Sequence, residues 1–208
     1  LGRLYLEAEQ TMKNRGLFSV LIWAGVFILL FTVSCRPVKK TMPEDFELAT
    51  TWADLTNYIA RTTPANSPTF ASRCFGYIGL TMYESIVPGY PGSQSVAPQL
   101  NGLGQLPSPD KGVTYSWPLA LIAGQAEIIR NIYLQTSDKN KQKIDSLENV
   151  FKAIYTEGIK DPAVVERSVA YGKLIAKKIF DWSVSDGGHR AYLKNFDKEL
   201  VYPDKPGG

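Results

Sequence analysis

Apolar residues recur at spacings of three and four along five segments that follow residue 45, and this period predicts amphipathic helices. The first segment is typical, because Phe46, Ala49, Trp52 and Leu55 fall on one helical face. The predicted helices span residues 46–61, 67–87, 116–135, 138–155 and 161–186. No segment of useful length alternates apolar and polar residues as a half-exposed strand does. The pattern therefore predicts an all-α helical bundle of about five helices in one domain, residues 46–208.

Capping residues and prolines set the boundaries of these helices. Ser67-Pro68 and Asp161-Pro162 each combine an N-cap residue with a proline at the first helical position. Gly187-Gly188 is a typical C-terminal stop. Residues 88–113 carry five prolines, five glycines and no helical period, so they predict a long loop of the kind that is often functional or covering.

The third predicted helix, residues 116–135, is apolar almost all round, which predicts that it is the buried centre of the bundle. The second helix carries Gly76 and Gly79 in its middle. Each glycine there costs about 1 kcal/mol relative to alanine. We therefore expect close helix packing at both glycines as the compensation.

The N-terminal part of the chain has the order of a bacterial export signal. Met12 and a short basic stretch precede an uncharged run, residues 16–34, which ends at Cys35. This order predicts a lipoprotein signal peptide over residues 12–34, with Cys35 as the lipid-attachment residue. Residues 1–11 are then an upstream extension and residues 35–45 a tether. We expect an exported protein held at a bacterial membrane by its lipid.

An alternative interpretation of the same run is an uncleaved membrane helix. An uncharged segment of this length can just cross a hydrocarbon core of about 30 Å. Positive residues on both flanks, at Arg15 and Arg36, give only a weak orientation signal.

Composition excludes several classes of function. The chain has 208 residues, one histidine, two cysteines and a net charge of +3. One histidine excludes a metal site built on two imidazoles of this chain, and two cysteines exclude a disulfide scaffold or a four-cysteine zinc site. The small charge excess argues against nucleic acid as a partner. The helical position of Cys74 predicts a small core residue.

Few residues suggest chemistry by themselves. The cluster Asp186-Gly187-Gly188-His189-Arg190 offers a general base or a phosphate contact, but a cationic helix C-terminus is the favoured interpretation. Glu127 and Arg130 are three residues apart and predict a local ion pair. Glu84 must be paired or reach a cavity. Five aromatic residues at helical spacing are interpreted as core rather than as a stacking surface: Trp52, Tyr58, Tyr77, Tyr83 and Trp117.

The second helix carries a family resemblance. Pro68, the triplet Ala71-Ser72-Arg73 and the run Met82-Tyr83-Glu84-Ser85 resemble an early helix of the vanadium-dependent haloperoxidases, which share their fold with the type 2 phosphatidic acid phosphatases. Residues 176–188, with their closing Asp-Gly turn, and the Pro-rich residues 202–207 are similar to later segments of that family. The resemblance extends over about residues 46–208.

The resemblance implies the N-terminal helical half of an exported enzyme that oxidises halide with peroxide or hydrolyses phosphate esters. In that family, vanadate or phosphate is held by a lysine, two arginines, a Ser-Gly-His triplet and a further histidine. These motifs do not occur here, so the resemblance implies no catalytic, cofactor-binding or metal residue in this chain. Vanadate would belong to the full-length haloperoxidase, whose missing C-terminal half is the expected partner. The alternative is a non-catalytic helical lipoprotein that acts as a binding or interaction module.

The signal segment generates the first testable prediction. A Cys35→Ala variant should incorporate no labelled fatty acid and should accumulate as a precursor, because the thiol that accepts the lipid is gone. Metabolic labelling and gel mobility of the parent and the variant measure both effects. Equal labelling and processing of the two proteins would contradict the lipoprotein interpretation.

Overall fold

The computed structural model describes residues 45–185 and 187–194. The predicted signal segment 12–34, the lipid-attachment residue Cys35, Asp186 and the Pro-rich residues 202–207 all lie outside the described residues.

The described residues form helices joined by turns and loops, and they contain no strand. Its five α-helices are α1 (Asp45–Thr62), α2 (Pro68–Glu84), α3 (Trp117–Ile132), α4 (Asp138–Thr156) and α5 (Pro162–Ser185). Three short 3-10 helices are Val87–Gly89, Ala97–Gln99 and Ala191–Lys194. The predicted all-α fold with five helices is confirmed.

The predicted caps define two helix starts directly. The Ser67 hydroxyl accepts a hydrogen bond from the Phe70 amide at 3.3 Å, and Pro68 opens α2. At the second predicted cap, the Asp161 carboxylate accepts a hydrogen bond from the Ala163 amide at 3.0 Å, and Pro162 opens α5. A further cap, which the sequence analysis did not name, is the Ser137 hydroxyl, which accepts from the Asn140 amide at 3.3 Å at the start of α4. Helix ends were less well predicted, since α2 stops at Glu84 rather than Val87 and the chain continues there as a 3-10 turn.

Helix α3 is the centre of the bundle, as its apolar sequence predicted. It packs against α5 along most of its length, and also against α4, α2 and α1. Residues on every side of it are buried: Leu119, Ala120, Leu121, Ile122, Ala123, Gly124, Gln125, Ala126, Ile128, Ile129 and Ile132. Such a helix cannot be stable alone, because its whole apolar surface must be removed from water by neighbours.

Helices α3 and α5 approach each other closely at two glycines. A Cβ atom on Gly172 would meet the backbone of Ala120, including its carbonyl carbon at 2.8 Å. A Cβ atom on Gly124 would lie 2.6 Å from the Ser85 hydroxyl and 3.2 Å from the Gly172 carbonyl oxygen. The two backbones therefore touch because neither glycine carries a side chain.

The expected close packing at Gly76 and Gly79 is wrong. A Cβ atom at either position would meet no atom within 4 Å, and both residues are exposed on α2. Helix α2 buries its other side through residues such as Cys74 and Ile78, so the glycine side faces away from the core.

The predicted ion pair between Glu127 and Arg130 is also wrong. The Arg130 guanidinium instead pairs with Asp145, at 2.6 Å, and with Glu148, both on α4. Glu127 accepts a hydrogen bond from the Asn131 side chain at 3.2 Å. Arg130 faces α4, which presents two carboxylates one helical turn apart. Its planar guanidinium can donate hydrogen bonds to both of them, whereas Glu127 on its own helix offers one carboxylate.

Among the described residues, no helix combines the length and the apolar character that crossing a membrane would need.

The contact between α3 and α5 leads to a stability prediction. Gly172→Ala should lower the free energy of unfolding by about 3 kcal/mol, because the new methyl group meets backbone atoms that cannot turn aside. Gly76→Ala is the matched control. It should leave stability unchanged or raise it by up to about 1 kcal/mol, since alanine is the better helix former. Urea denaturation of the three proteins measures both changes, and equal midpoints for the two variants would contradict the packing described.

Candidate functional site

A buried carboxylate at the end of α2 anchors the long loop between α2 and α3. Glu84 is only 2% exposed. Its Oε1 atom accepts hydrogen bonds from the backbone amides of Val96, at 2.9 Å, and Ala97, at 3.3 Å. Two amide donors compensate the carboxylate for the water lost on burial. The expectation that Glu84 is paired is therefore met by the backbone of the loop.

Side chains of α2 and α5 hold the rest of this loop through its carbonyl groups. Tyr83 donates its hydroxyl to the Gln94 carbonyl at 2.7 Å, and Trp182 donates its indole N–H to the Asn101 carbonyl at 3.0 Å. Further along, Tyr171 donates to the Pro107 carbonyl at 3.2 Å. The loop therefore has fixed attachments on two helices.

The attachment through Tyr171 persists over a wide pH range. Burial, together with the nearby Glu84 carboxylate and Tyr115, raises the pKa of Tyr171 to about 12. The phenol consequently keeps its proton at neutral pH and can donate it to the loop.

An apolar cleft of about 490 Å³ lies between the loop, the glycine-bearing side of α2 and the C-terminal part of α5. We call it the aromatic cleft. Its lining comprises Arg73, Gly76, Tyr77, Leu80, Tyr83, Val96, Leu100 and Trp182. The rings of Tyr77 and Trp182 meet edge to face, with centroids 5.8 Å apart and planes at 87°. That geometry is favourable for an aromatic pair and fixes both rings.

The described lining of the aromatic cleft is mostly apolar and aromatic. Arg73 is the single charged residue among the described residues that line it, and the same lining holds no carboxylate, imidazole or thiol. Two lining residues, Tyr77 and Tyr83, carry hydroxyl groups, and Tyr83 donates its hydroxyl to the loop.

The sequence predicted the positions of only some of the residues that form the aromatic cleft. Trp52 and Tyr77 are buried, at 0% and 5% exposure, as the core interpretation predicted. Tyr58 and Tyr83 are exposed to 41% and 36%, so that interpretation is wrong for them. The spacing of Arg73, Gly76, Leu80 and Tyr83 along one helical side was a usable signal. Nothing local indicated that Leu100 and Trp182 would complete the lining.

His189 is not among the described residues that line the aromatic cleft. Gly188 and His189 donate their backbone amides to the Ser183 carbonyl, at 3.0 and 3.1 Å, and so close the C-terminus of α5. The His189 ring meets Phe180 edge to face, with centroids 5.8 Å apart. This position agrees with the favoured interpretation of a helix C-terminus.

No group of three or more histidine, cysteine, aspartate or glutamate residues suited to a metal ion occurs among the described residues. Cys74 is fully buried, as predicted. Burial raises the pKa of its thiol to about 12. The thiol therefore stays protonated at neutral pH, which makes it a poor nucleophile.

Comparison with solved structures found a likeness to a known enzyme. No protein-family profile matches the chain, and no curated protein matches it. The chain resembles the crystal structure titled as the first bacterial vanadium-dependent iodoperoxidase, with 26% sequence identity and a TM-score of 0.56. The match covers 81% of this chain and 39% of the iodoperoxidase chain. The fold is therefore that of part of a larger helical haloperoxidase, and the resemblance is at the level of the superfamily.

The anchoring of the loop by Glu84 leads to a second stability prediction. Glu84→Ala should lower the free energy of unfolding by about 3 kcal/mol, because two amide donors lose a charged acceptor. Hydrogen exchange at the Val96 and Ala97 amides should accelerate. Glu84→Gln, which keeps one acceptor oxygen, should lose less.

Glu166→Ala removes an exposed carboxylate from α5 and is the control for the loss of charge. Urea denaturation and amide exchange measured on the four proteins test the anchor. Unchanged exchange at Val96 and Ala97 in Glu84→Ala would contradict it.

Proposed function

We propose that this chain is the N-terminal helical portion of a vanadium haloperoxidase-like or acid phosphatase-like enzyme. The observation that carries the proposal is the likeness to the bacterial iodoperoxidase, which extends over 81% of this chain at 26% identity. The motif residues of α2, from Pro68 to Glu84, support it independently, since they suggested the same family from sequence. The reaction is halide oxidation by peroxide or hydrolysis of a phosphate ester.

In this proposal the described residues act as scaffold and do not hold the oxyanion. A vanadate or phosphate group carries several negative charges and needs several convergent cationic or amide donors. The aromatic cleft offers one arginine, and His189 is packed against Phe180. The described residues therefore do not fit vanadate. The remaining part of the enzyme, which the other 61% of the iodoperoxidase chain represents (100 − 39), would supply that site.

The proposal includes export and a lipid anchor at Cys35. Its support is the sequence order of basic residues, apolar run and cysteine over residues 12–35. An enzyme placed in this way would act on the periplasmic or cell-surface side of a bacterial membrane.

A second candidate is a non-catalytic binding module, and the aromatic cleft is the observation that favours it. The cleft is preformed, apolar and held open by the loop attachments at Glu84 and Trp182. Ligand pockets in proteins commonly have these properties. The two candidates differ in whether further chain is needed for activity.

The enzymatic proposal predicts that the chain alone has no turnover. Residues 36–208 incubated with orthovanadate, peroxide and iodide or bromide should oxidise no more halide than vanadate without protein, because the oxyanion donors are missing. Hydrolysis of p-nitrophenyl phosphate should also equal the buffer rate. Vanadate-dependent oxidation that requires the folded protein would contradict the scaffold role.

The coding DNA downstream of Gly208 separates the two candidates. The enzymatic proposal expects an open frame that encodes a Ser-Gly-His triplet followed by a further arginine and histidine. A stop codon at that point would overturn this proposal and favour the binding module.

A further inference from the structure

A groove between α1 and α4 presents apolar surface to solvent, and we call it the α1–α4 groove. Its volume is about 720 Å³, and it shares no lining residue with the aromatic cleft. Its apolar side chains are Leu55 and Tyr58 on α1 and Leu147 and Val150 on α4. Tyr58 is 41% exposed and Val150 is 53% exposed, and polar residues of both helices complete the lining. An apolar patch with a polar rim is typical of a protein interaction surface.

Helices α1 and α4 are antiparallel along this groove. Asn140, at the start of α4, donates its side-chain amide to the Thr62 hydroxyl at the end of α1, at 2.9 Å. The Lys143 ammonium lies 5.0 Å from the centre of the Tyr58 ring. About one turn back along α1 therefore corresponds to about one turn forward along α4.

Opposite charges lie about one helical turn apart on the α1 side of the groove. Asp54 lines the groove from α1 and is exposed. The Lys143 ammonium lies over Tyr58, whose Cα atom is about 6 Å further along the helix than that of Asp54. Neither Asp54 nor Lys143 forms an ion pair within the part of the chain that the structure describes. Lys139 adds a second positive charge to the lining at the same end as Lys143.

This order of charges is self-complementary. Two copies can meet face to face about a two-fold axis that lies in the interface and crosses the groove between Asp54 and Tyr58. The two grooves then run antiparallel, and each Asp54 lies opposite the Lys143 ammonium of the other copy. A two-fold interface requires such a patch, because the same surface serves as both partners. A patch with one sign of charge would instead repel its own copy.

We infer that the α1–α4 groove is the interface of a symmetric dimer of this chain. The second copy covers the apolar side chains of the groove, and the two ion pairs between Asp54 and Lys143 fix the antiparallel orientation. The inference does not rest on the enzymatic proposal, because it uses only described residues of α1 and α4.

Site-specific photocross-linking of the full chain tests where the copies meet. Two copies with different affinity tags are expressed in one cell, and in one of them photoreactive p-benzoylphenylalanine replaces Val150. Irradiation should join the two copies, so that purification through either tag recovers the other. Val184 is the matched control, because it is 51% exposed on α5 and does not line the groove. The same replacement there should give no cross-linked dimer beyond that of the unmodified chain.

Exchange of the two charges tests the orientation, with the cross-link from position 150 as the measure of association. Asp54→Lys brings like charges together at both ends of the interface, and so does Lys143→Glu. Each variant should associate with itself about tenfold more weakly than the parent does. A mixture of the two variants should recover association, because both ends then join opposite charges. Lys173→Glu, at an exposed position of α5 outside the groove, should associate as the parent does.

Three outcomes would overturn the inference. Cross-linking from position 150 to a different protein, or only within one chain, would show that another partner or another segment occupies the groove. Equal cross-linking from positions 150 and 184 would show that association is not specific to this surface. Recovery that fails in the mixture of charge variants would exclude the antiparallel arrangement. All substituted side chains are exposed, so the variants should keep the fold, and circular dichroism checks this.

Discussion

The backbones of α3 and α5 lie in direct contact, and the rest of the described structure is arranged around that contact. Gly172 and Gly124 permit the approach, because a methyl group at either position would meet the Ala120 backbone or the Ser85 hydroxyl. Close approach removes the apolar surface of both helices from water over a long interface, which provides the main stabilisation of a fold of this kind. Helix α3 can be apolar on every side only because α5 covers much of its surface from solvent, while α1, α2 and α4 pack against other parts of it.

The position of the aromatic cleft follows from the same packing. Helix α5 is held along α3, and its C-terminal part brings Trp182 to within ring contact of Tyr77 on α2. The third wall is the loop, which has no helical period and would not adopt one path without attachments. Glu84 supplies the strongest of these, since a buried carboxylate must find donors and the Val96 and Ala97 amides are the donors it finds. A charged residue inside the bundle thus organises a segment that lies outside it.

These features bear on the likeness to the iodoperoxidase. The chain reproduces part of a larger helical fold, yet its own core is closed around α3. Among its described residues there is no group of three or more histidine, cysteine, aspartate or glutamate residues suited to a metal ion. The aromatic cleft, by contrast, is lined by described residues of α2, α5 and the loop. The superfamily resemblance therefore accounts for the scaffold, and the side chains of α2, α5 and the loop account for the apolar surface of the cleft.

Local sequence patterns were sufficient to predict the five helices. The period of apolar residues predicted all five, the predicted caps Ser67 and Asp161 accept hydrogen bonds from the first turns of their helices, and the all-round apolarity of residues 116–135 predicted the central helix. These properties depend on residues within one or two turns of each other.

The tertiary structure alone decided which residues meet across the bundle. Arg130 forms ion pairs with two carboxylates on α4. The close-packed glycines are Gly124 and Gly172 rather than Gly76 and Gly79. The ring of Trp182 contacts the ring of Tyr77. The reason is physical: a helix repeat specifies which side is apolar, but the rotation and register of one helix against another depend on how all the side chains pack together.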